Sequence, residues 1–311
     1  MPAPCRIAIV ANSQSGSTAA DALDLLSAAL RARDATVELH TTDQPSQLQA
    51  LAQKARESKP DAVVAFGGDG TVNTVANVLA GSDIAMGIAP RGTFNYVAKQ
   101  YGLPDAPDAI AELLVSGTAR PIAAGEVNGK LFLNNCSFGL YTDVIEARER
   151  HKAAWGRYRL VAVVSALATA LRSTARLPLK LVGAEEGTRH HGRASLFFAG
   201  VNPRQFADSG FEITDAVEAG ALGFVVVDSI SAGRIVQMLW GAAAGKVESL
   251  QHVTAFTDLA LRAEVQRRVR PLKVVIDGEL LRLASPMQFR YRAAALQLLM
   301  PEPAPVQQTA T

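Results

Sequence analysis

Cysteine is nearly missing from this chain of 311 residues, which has only Cys5 and Cys136. A disulfide-stapled scaffold is therefore excluded, and a reducing compartment, the cytoplasm, is expected. An excess of one charge is missing too. The chain has 31 basic and 29 acidic residues, a formal charge of +2. That balance argues against a protein that coats nucleic acid, so no nucleic-acid partner is expected, although a local basic face stays open. Long hydrophobic runs are also scarce. The longest suspect, Leu160–Leu171, has 12 residues between Arg159 and Arg172, and a bilayer crossing takes roughly 20. The opening "MPAPCRIAIVANSQSGS" lacks a charged segment followed by an apolar one, so no signal peptide is expected and the protein should be soluble. Five histidines occur without zinc spacing or cysteine partners. No internal repeat is visible.

What is present points to two domains, in keeping with the length. The first third alternates. Cys5–Ala11, Thr36–Thr41, Ala62–Phe66 and Ile84–Ala89 read as strands. Thr18–Arg33, Pro45–Glu57, Thr71–Ala80 and the end of Pro90–Pro104 read as helices. This alternation predicts an α/β domain over 1–123, a parallel sheet with helices on both faces. From 124 the texture changes. Lys130–Phe138, Arg193–Val201, Ala221–Ile230, Leu272–Leu283 and Ala294–Met300 are strand-like, interrupted by helix candidates at Trp155–Ser173 and Ala232–Ala243. A mainly antiparallel, β-rich domain is expected over 124–300, with a disordered tail over 301–311.

The stretch "VVAFGGDGTVNTVANVL" (Val63–Leu79) runs from strand to helix through Gly67-Gly68-Asp69-Gly70. Ligands of an open parallel sheet sit beyond the carboxyl ends of its strands. Glycines let backbone N–H groups approach a ligand, and the helix start adds a positive dipole, so the junction can cradle phosphate. Asp69, expected at a loop tip, would repel phosphate unless it holds Mg²⁺ or takes a proton; the plainer reading is a helix cap. The junction is neither a Walker A loop nor a Rossmann fingerprint. Two other strand ends, Ala11–Ser17 and Pro90–Asn95, carry small donor-rich loops. A parallel sheet would bring all three to one crevice.

"FGGDGTVN", then "APRGTFNYVAKQYGLP", then "VVIDGELL" near the C-terminus together resemble the diacylglycerol-kinase catalytic-domain family, which includes bacterial lipid kinases and sphingosine kinases. The glycine loop more distantly resembles that of NAD kinases and 6-phosphofructokinases. The resemblance implies a nucleotide-binding α/β domain followed by a β-rich lipid-substrate domain, a cleft between them, and a last strand returning to the first domain. It implies ATP and Mg²⁺ as cofactors. Gly67, Gly68, Asp69, Gly70, Thr71 and Asn73 match the nucleotide loop. Thr93 and Asn95 match nucleotide-contacting positions, and Thr41 a position near the adenosine. Asn12 and Gly16 match a turn that in many relatives contains a proline, absent here.

"DGE" at Asp277–Glu279 is a common hairpin turn between apolar strands. An alcohol attacking a γ-phosphate also needs a carboxylate to accept its proton. The resemblance implies Glu279 as that base, with Asp277 orienting it or contacting Mg-ATP and Asp69 as the competing candidate. One segment departs from the family pattern. Ala219 stands where relatives carry a metal-site Asp, leaving Glu218 as the remaining candidate ligand. The readings that remain are an ATP-dependent lipid kinase, a non-catalytic nucleotide sensor on the same fold, and a kinase of a soluble substrate such as NAD. A lipid kinase must reach a bilayer. Glu146–Leu171, basic with Trp155 and Tyr158, is the expected peripheral membrane contact. A homo-oligomer is left open.

Overall fold

The computed structural model describes residues 5–12, 19–139, 142, 177–184, 187–208, 211–228, 253–266 and 271–302. Gly16, Glu146–Leu171, the helix candidates at Trp155–Ser173 and Ala232–Ala243, and the tail beyond 302 lie outside the described residues. The chain divides into two compact units, Met1–Ala124 with Arg292–Thr311, and Gly125–Tyr291.

The first unit is a parallel sheet with helices on both faces. Its strands are β1 (Arg6–Asn12), β2 (Thr36–Thr42), β3 (Ala62–Gly67) and β4 (Ala85–Pro90). They lie in the order β2-β1-β3-β4, all parallel. β3 and β4 are buried at every residue, which is why both read as unbroken apolar runs. β2 lies at the edge and is largely exposed. Gln297 and Leu298, from a late strand, pair in parallel with Ala85 and Met86.

The helices are α1 (Ala19–Arg31), α2 (Leu48–Glu57), α3 (Asp69–Leu79), α4 (Tyr96–Gln100) and α5 (Pro107–Ser116). A 3-10 turn, Pro45–Gln47, leads into α2. Strand residues alternate between two cores. Ile7, Ile9, Ala11, Val64 and Phe66 pack with Leu26 and Leu30 of α1 and Ile110 and Leu114 of α5. α2 and α3 pack together against the sheet, burying Leu48, Ala52 and Ala55, and Val72, Val75, Ala76 and Leu79. Those spacings are a helix's single apolar face. Each buried Leu or Val of this set contributes about 1.5–3 kcal/mol on burial.

The second unit is antiparallel. β5 (Thr118–Val127) leads into it and pairs with β6 (Lys130–Phe132). β7 (Asn135–Gly139), β8 (Leu177–Gly183), β9 (Thr188–Gly200) and β10 (Leu222–Asp228) follow. Then come β11 (Val253–Asp258), β12 (Ala260–Val265), β13 (Leu272–Ile276), β14 (Glu279–Leu283) and β15 (Met287–Met300). β9 pairs with β7, β8 and β10, β12 joins β8 to β15, and β13 joins β7 to β14. The late residues of β15 are those that pair with β4 in the first unit. The core is aromatic. Phe138 stacks on Phe197 at 4.5 Å between centroids, and Phe289 and Phe224 lie 5.3 and 6.0 Å from Phe197. Two short helices, α6 (Pro203–Asp208) and α7 (Thr214–Glu218), cover a smaller cluster of Phe206, Val217 and Val225.

Two details differ from the sequence reading, and a third matches it. α3 begins two residues earlier than expected, at Asp69. The expected strand Lys130–Phe138 is broken at Leu133–Asn134, where backbone N–H groups turn towards a buried carboxylate. The hairpin turn read from the Asp277–Glu279 motif is present and joins β13 to β14 within the Leu272–Leu283 run.

Candidate functional site

The parallel register aligns the strand ends of the first unit. Asn12 lies opposite Thr42, Ala11 opposite Phe66, and Gly67 opposite Pro90. Thr41 is exposed at the end of β2. Thr42 is buried, accepts the Gln44 N–H at 3.0 Å and donates to Gln47 at 2.9 Å. Sequence reasoning chose Thr41 and passed over Thr42, whose hydroxyl shapes the turn after β2.

The two loops carrying the strongest motifs clasp each other. The Arg91 N–H donates to the Gly67 carbonyl at 2.8 Å. A Cβ on Gly92 would come within 2.7 Å of the Gly68 Cα and 2.8 Å of Asn95 Oδ1. Glycine at 92 is thus fixed by close backbone approach and not by an unusual φ. Asn95 closes its own loop, accepting the Gly92 N–H at 2.9 Å and donating to the Gly92 carbonyl at 3.0 Å.

Asp69 lies in the first turn of α3, not at a loop tip. Its carboxylate accepts the N–H of Asn95 at 3.0 Å and of Tyr96 at 2.9 Å. Those donors belong to the cap and first residue of α4, so Asp69 caps a helix 26 residues away in sequence. This is a tertiary form of the cap weighed from sequence, and it ties the glycine loop to Pro90–Asn95. Burial raises the Asp69 pKa, and the Tyr96 and Asn95 N–H groups act against that rise. Asp69 therefore holds a proton more readily than an ordinary aspartate while remaining anchored.

Thr71 is buried and Asn73 half-buried within α3. Asn77 donates to Asn73 Oδ1 at 3.0 Å. Thr93 is exposed, between Arg91 and the stacked, exposed pair Phe94–Tyr96, 5.5 Å between centroids. Arg91 itself was missed from sequence. Its guanidinium lies 5.4 Å above the Phe66 ring and donates to the Asp105 carbonyl at 3.1 Å. An arginine among small loop residues was the available signal.

The "DGE" motif is built in the second unit. Asp277 and Gly278 both take positive φ, 46° and 90°, the two-residue hairpin turn that Asp-Gly favours. Asp277 is 8% exposed, and its carboxylate accepts three backbone N–H groups: Leu133 at 2.7 Å, and Asn134 and Asn135 at 2.9 Å. Its own N–H donates to the Asn135 carbonyl. Asp277 thereby fixes the break between β6 and β7. Around it lies a polar network that sequence reasoning did not find. Buried Asn202 donates to Asn134 Oδ1 at 3.1 Å, and Asn135 donates to Gln205 at 3.1 Å. "NN" at 134–135 and "VNP" at 201–203, interrupting apolar strands, were its trace.

Glu279 opens β14 beside this turn. Its pKa is raised, first by surrounding protein that displaces hydration and then by the Asp277 charge; Lys130 opposes the rise. The residue is exposed, so water screens these effects and the energetic consequence is small. A solvent-accessible carboxylate with a raised pKa is suited to accept and release a proton.

Glu218 is exposed at the end of α7, followed by Ala219, also exposed. Among the described residues, no group of three or more His, Cys, Asp or Glu side chains gathers as a metal site. The carboxylates of residues 211–220 are Glu212, Asp215 and Glu218, and they do not gather into the six or more oxygens that a structural divalent cation of this kind requires. Residues 211–220 thus do not form a fitting site, and no step is drawn through one.

This geometry frames the comparisons with known proteins. Residues 6–127 match the family model described as the diacylglycerol kinase catalytic domain. The resemblance drawn from the motifs holds over that stretch. A curated protein of Citrobacter koseri, named a probable lipid kinase YegS-like, is 37% identical over 144 residues, which are 44% of this chain and 46% of that protein. The probable lipid kinase YegS of Shigella boydii is 35% identical over 133 residues, 41% of this chain and 44% of that protein. The matched stretch is thus less than half the length of these relatives. A solved structure of a diacylglycerol kinase from Bacillus anthracis superposes with a TM-score of 0.68 at 20% identity, covering 97% of this chain and 99% of that one. This likeness shows that the fold extends over nearly the whole chain.

Proposed function

We propose that the protein is an ATP-dependent lipid kinase that transfers the γ-phosphate to a hydroxyl of diacylglycerol or a related lipid alcohol. The clasp of Gly67–Gly70 with Pro90–Asn95, centred on Asp69 within the stretch that matches the family model, carries this reading. Names of the relatives support it.

Backbone N–H groups at the start of α3 are freed by glycine to hold the phosphates of ATP, which enters as its Mg²⁺ complex. Asp69 keeps the two loops together, so the cradle is ordered before nucleotide arrives. The lipid hydroxyl oxygen attacks the γ-phosphorus, and the bond to the β–γ bridging oxygen breaks. ADP leaves with that oxygen, and the hydroxyl proton passes to the Glu279 carboxylate. Asp277 holds the hairpin that presents Glu279. Its oxygens are engaged by backbone donors, so its role in this reading is positioning.

The protein works in the cytoplasm and meets its lipid at the bilayer surface, with Glu146–Leu171 as one contact. No helix of the described residues is long and apolar enough to cross a membrane. The test is γ-labelled ATP with a panel of lipid alcohols in mixed micelles, resolved by thin-layer chromatography. A labelled phospholipid is expected. Label that moves only to NAD or to no acceptor overturns the reading.

A further inference from the structure

A second polar groove lies on the second unit, away from the "DGE" turn in sequence. β8, β12 and the first part of β15 form a one-sided sheet. Leu179, Leu181, Leu261, Ala263, Met287 and Phe289 face the core. Strand alternation sends Lys180, Arg262, Glu264, Gln288 and Arg290 outward. The antiparallel register sets them side by side: Lys180 opposite Glu264, Arg262 opposite Gln288, and Ala260 opposite Arg290. With Gly183, Ala184 and Thr188 they line a groove of about 490 Å³, within the size range of ligand sites.

The charged side chains that line this groove are mostly basic. The groove holds Lys180, Arg262 and Arg290 against Glu264. Only Arg262 is paired, its Nε lying 2.8 Å from Glu264 Oε1. Lys180 and Arg290 have no ion pair among the described residues. Arg193 and His191 continue the face on β9, opposite Pro178 and Lys180. The floor includes Val182 and Ala260, and Thr188 and Gln288 add a hydroxyl and an amide. Two unpaired cations beside a short apolar floor suit a phosphodiester joined to a glycerol backbone.

We propose that this groove binds the headgroup of an anionic phospholipid and docks the second unit on the bilayer, separately from the site of phosphoryl transfer. The choice of a lipid over a free phosphate rests on the lipid-kinase reading, because such an enzyme needs a surface contact. The connecting turn also carries Glu185 and Glu186, which lie outside the described residues.

The test is sedimentation of the full chain with phosphatidylglycerol–phosphatidylcholine vesicles and with phosphatidylcholine vesicles alone. The parent should partition onto the anionic vesicles and lose that preference at high salt. Lys180→Ala with Arg290→Ala should weaken partition roughly 30-fold, about fivefold for each surface cation. Glu264→Gln should strengthen it by releasing Arg262. Thermal unfolding of each variant checks the fold, and the two single variants replace the pair if it unfolds early. Equal binding to both vesicle types, or parent-like binding by the variants, overturns the proposal. So does stabilisation by inorganic phosphate or glycerol phosphate, lost in the double variant, without vesicle binding: the groove would then serve a soluble anion. No arm measures turnover, so failure here is distinct from failure of the kinase reading.

Discussion

Replacing Asp277 by alanine tests whether that residue is an organiser of the second unit or a ligand of Mg-ATP. Its carboxylate accepts the N–H groups of Leu133, Asn134 and Asn135 at 2.7, 2.9 and 2.9 Å. Leu133 and Asn134 are themselves buried, so their donors would be stranded, whereas half-buried Asn135 can recover a water. A buried donor left without a partner costs about 1–3 kcal/mol, and disruption of a buried charged network about 3–5 kcal/mol. Asp277→Ala should therefore cost about 4 kcal/mol, a large share of the ~5–15 kcal/mol that holds a domain folded. Asp277→Asn keeps one oxygen for the Asn134 and Asn135 donors but turns an amide N–H at Leu133. It should cost about 2 kcal/mol. Asparagine tolerates the 46° φ of this position as aspartate does, so backbone strain does not confound the comparison. Urea unfolding followed by circular dichroism reads both values. A loss below about 1 kcal/mol for Asp277→Ala, together with a sharp fall in ATP affinity, would refute the organising role and restore the metal-contact reading.

Other outcomes follow from the same geometry. Glu279→Gln should lower turnover by about 10²–10⁴-fold with little change in ATP affinity, measured by steady-state kinetics and nucleotide titration. Because the Glu279 pKa is raised, the acid limb of the rate profile should lie above the ordinary glutamate value of 4.5. The stability linkage has the opposite sense: folded Glu279 binds its proton more readily than unfolded, so its contribution to stability grows as pH falls through the raised pKa. Gly92→Ala should weaken nucleotide binding more than Gly68→Ala, because its Cβ meets backbone at 2.7 Å against 3.2 Å; equal binding by the two variants would show that the loops open freely. Asp69→Ala should both abolish transfer and destabilise the first unit by about 1–3 kcal/mol, since two N–H groups lose a charged acceptor; an unchanged melting temperature would contradict the clasp. Ala219→Asp should add no more than marginal Mg²⁺-dependent stability if one added carboxylate cannot complete a site; a clear Mg²⁺-dependent rise in melting temperature would show that ligands are already in place.

Much of the first unit was legible because its signals are local. Apolar runs such as Ala62–Gly67 can only be central parallel strands when helical periodicity flanks them, and the three glycines marked the strand-to-helix junction. The second unit was harder. Lys130–Phe138 reads as one strand, since the Asn134-Asn135 pair within it does not by itself point to Asp277, more than 140 residues later, which draws three N–H groups out of line. The same limit hid the role of Asp69. Sequence offered a local cap or a catalytic group, whereas its carboxylate caps α4 through a contact set only by the tertiary fold. β8 and β12 were missed because they are short and their outward residues mix apolar Pro178, Val182 and Ala260 with charged Lys180, Arg262 and Glu264, which blurs the alternation.

The proposed reaction is phosphoryl transfer to a lipid hydroxyl by a nucleotide loop and a separate proton acceptor. The most direct measurement compares the parent, Asp69→Asn and Glu279→Gln for transfer from γ-labelled ATP to diacylglycerol in neutral micelles, with ATP affinity measured alongside. A labelled lipid product is expected from the parent, with a loss of at least about 100-fold in Glu279→Gln and ATP binding preserved. Normal turnover by Glu279→Gln while Asp69→Asn is inactive would move the base to Asp69, and no labelled lipid from the parent would contradict the claim itself.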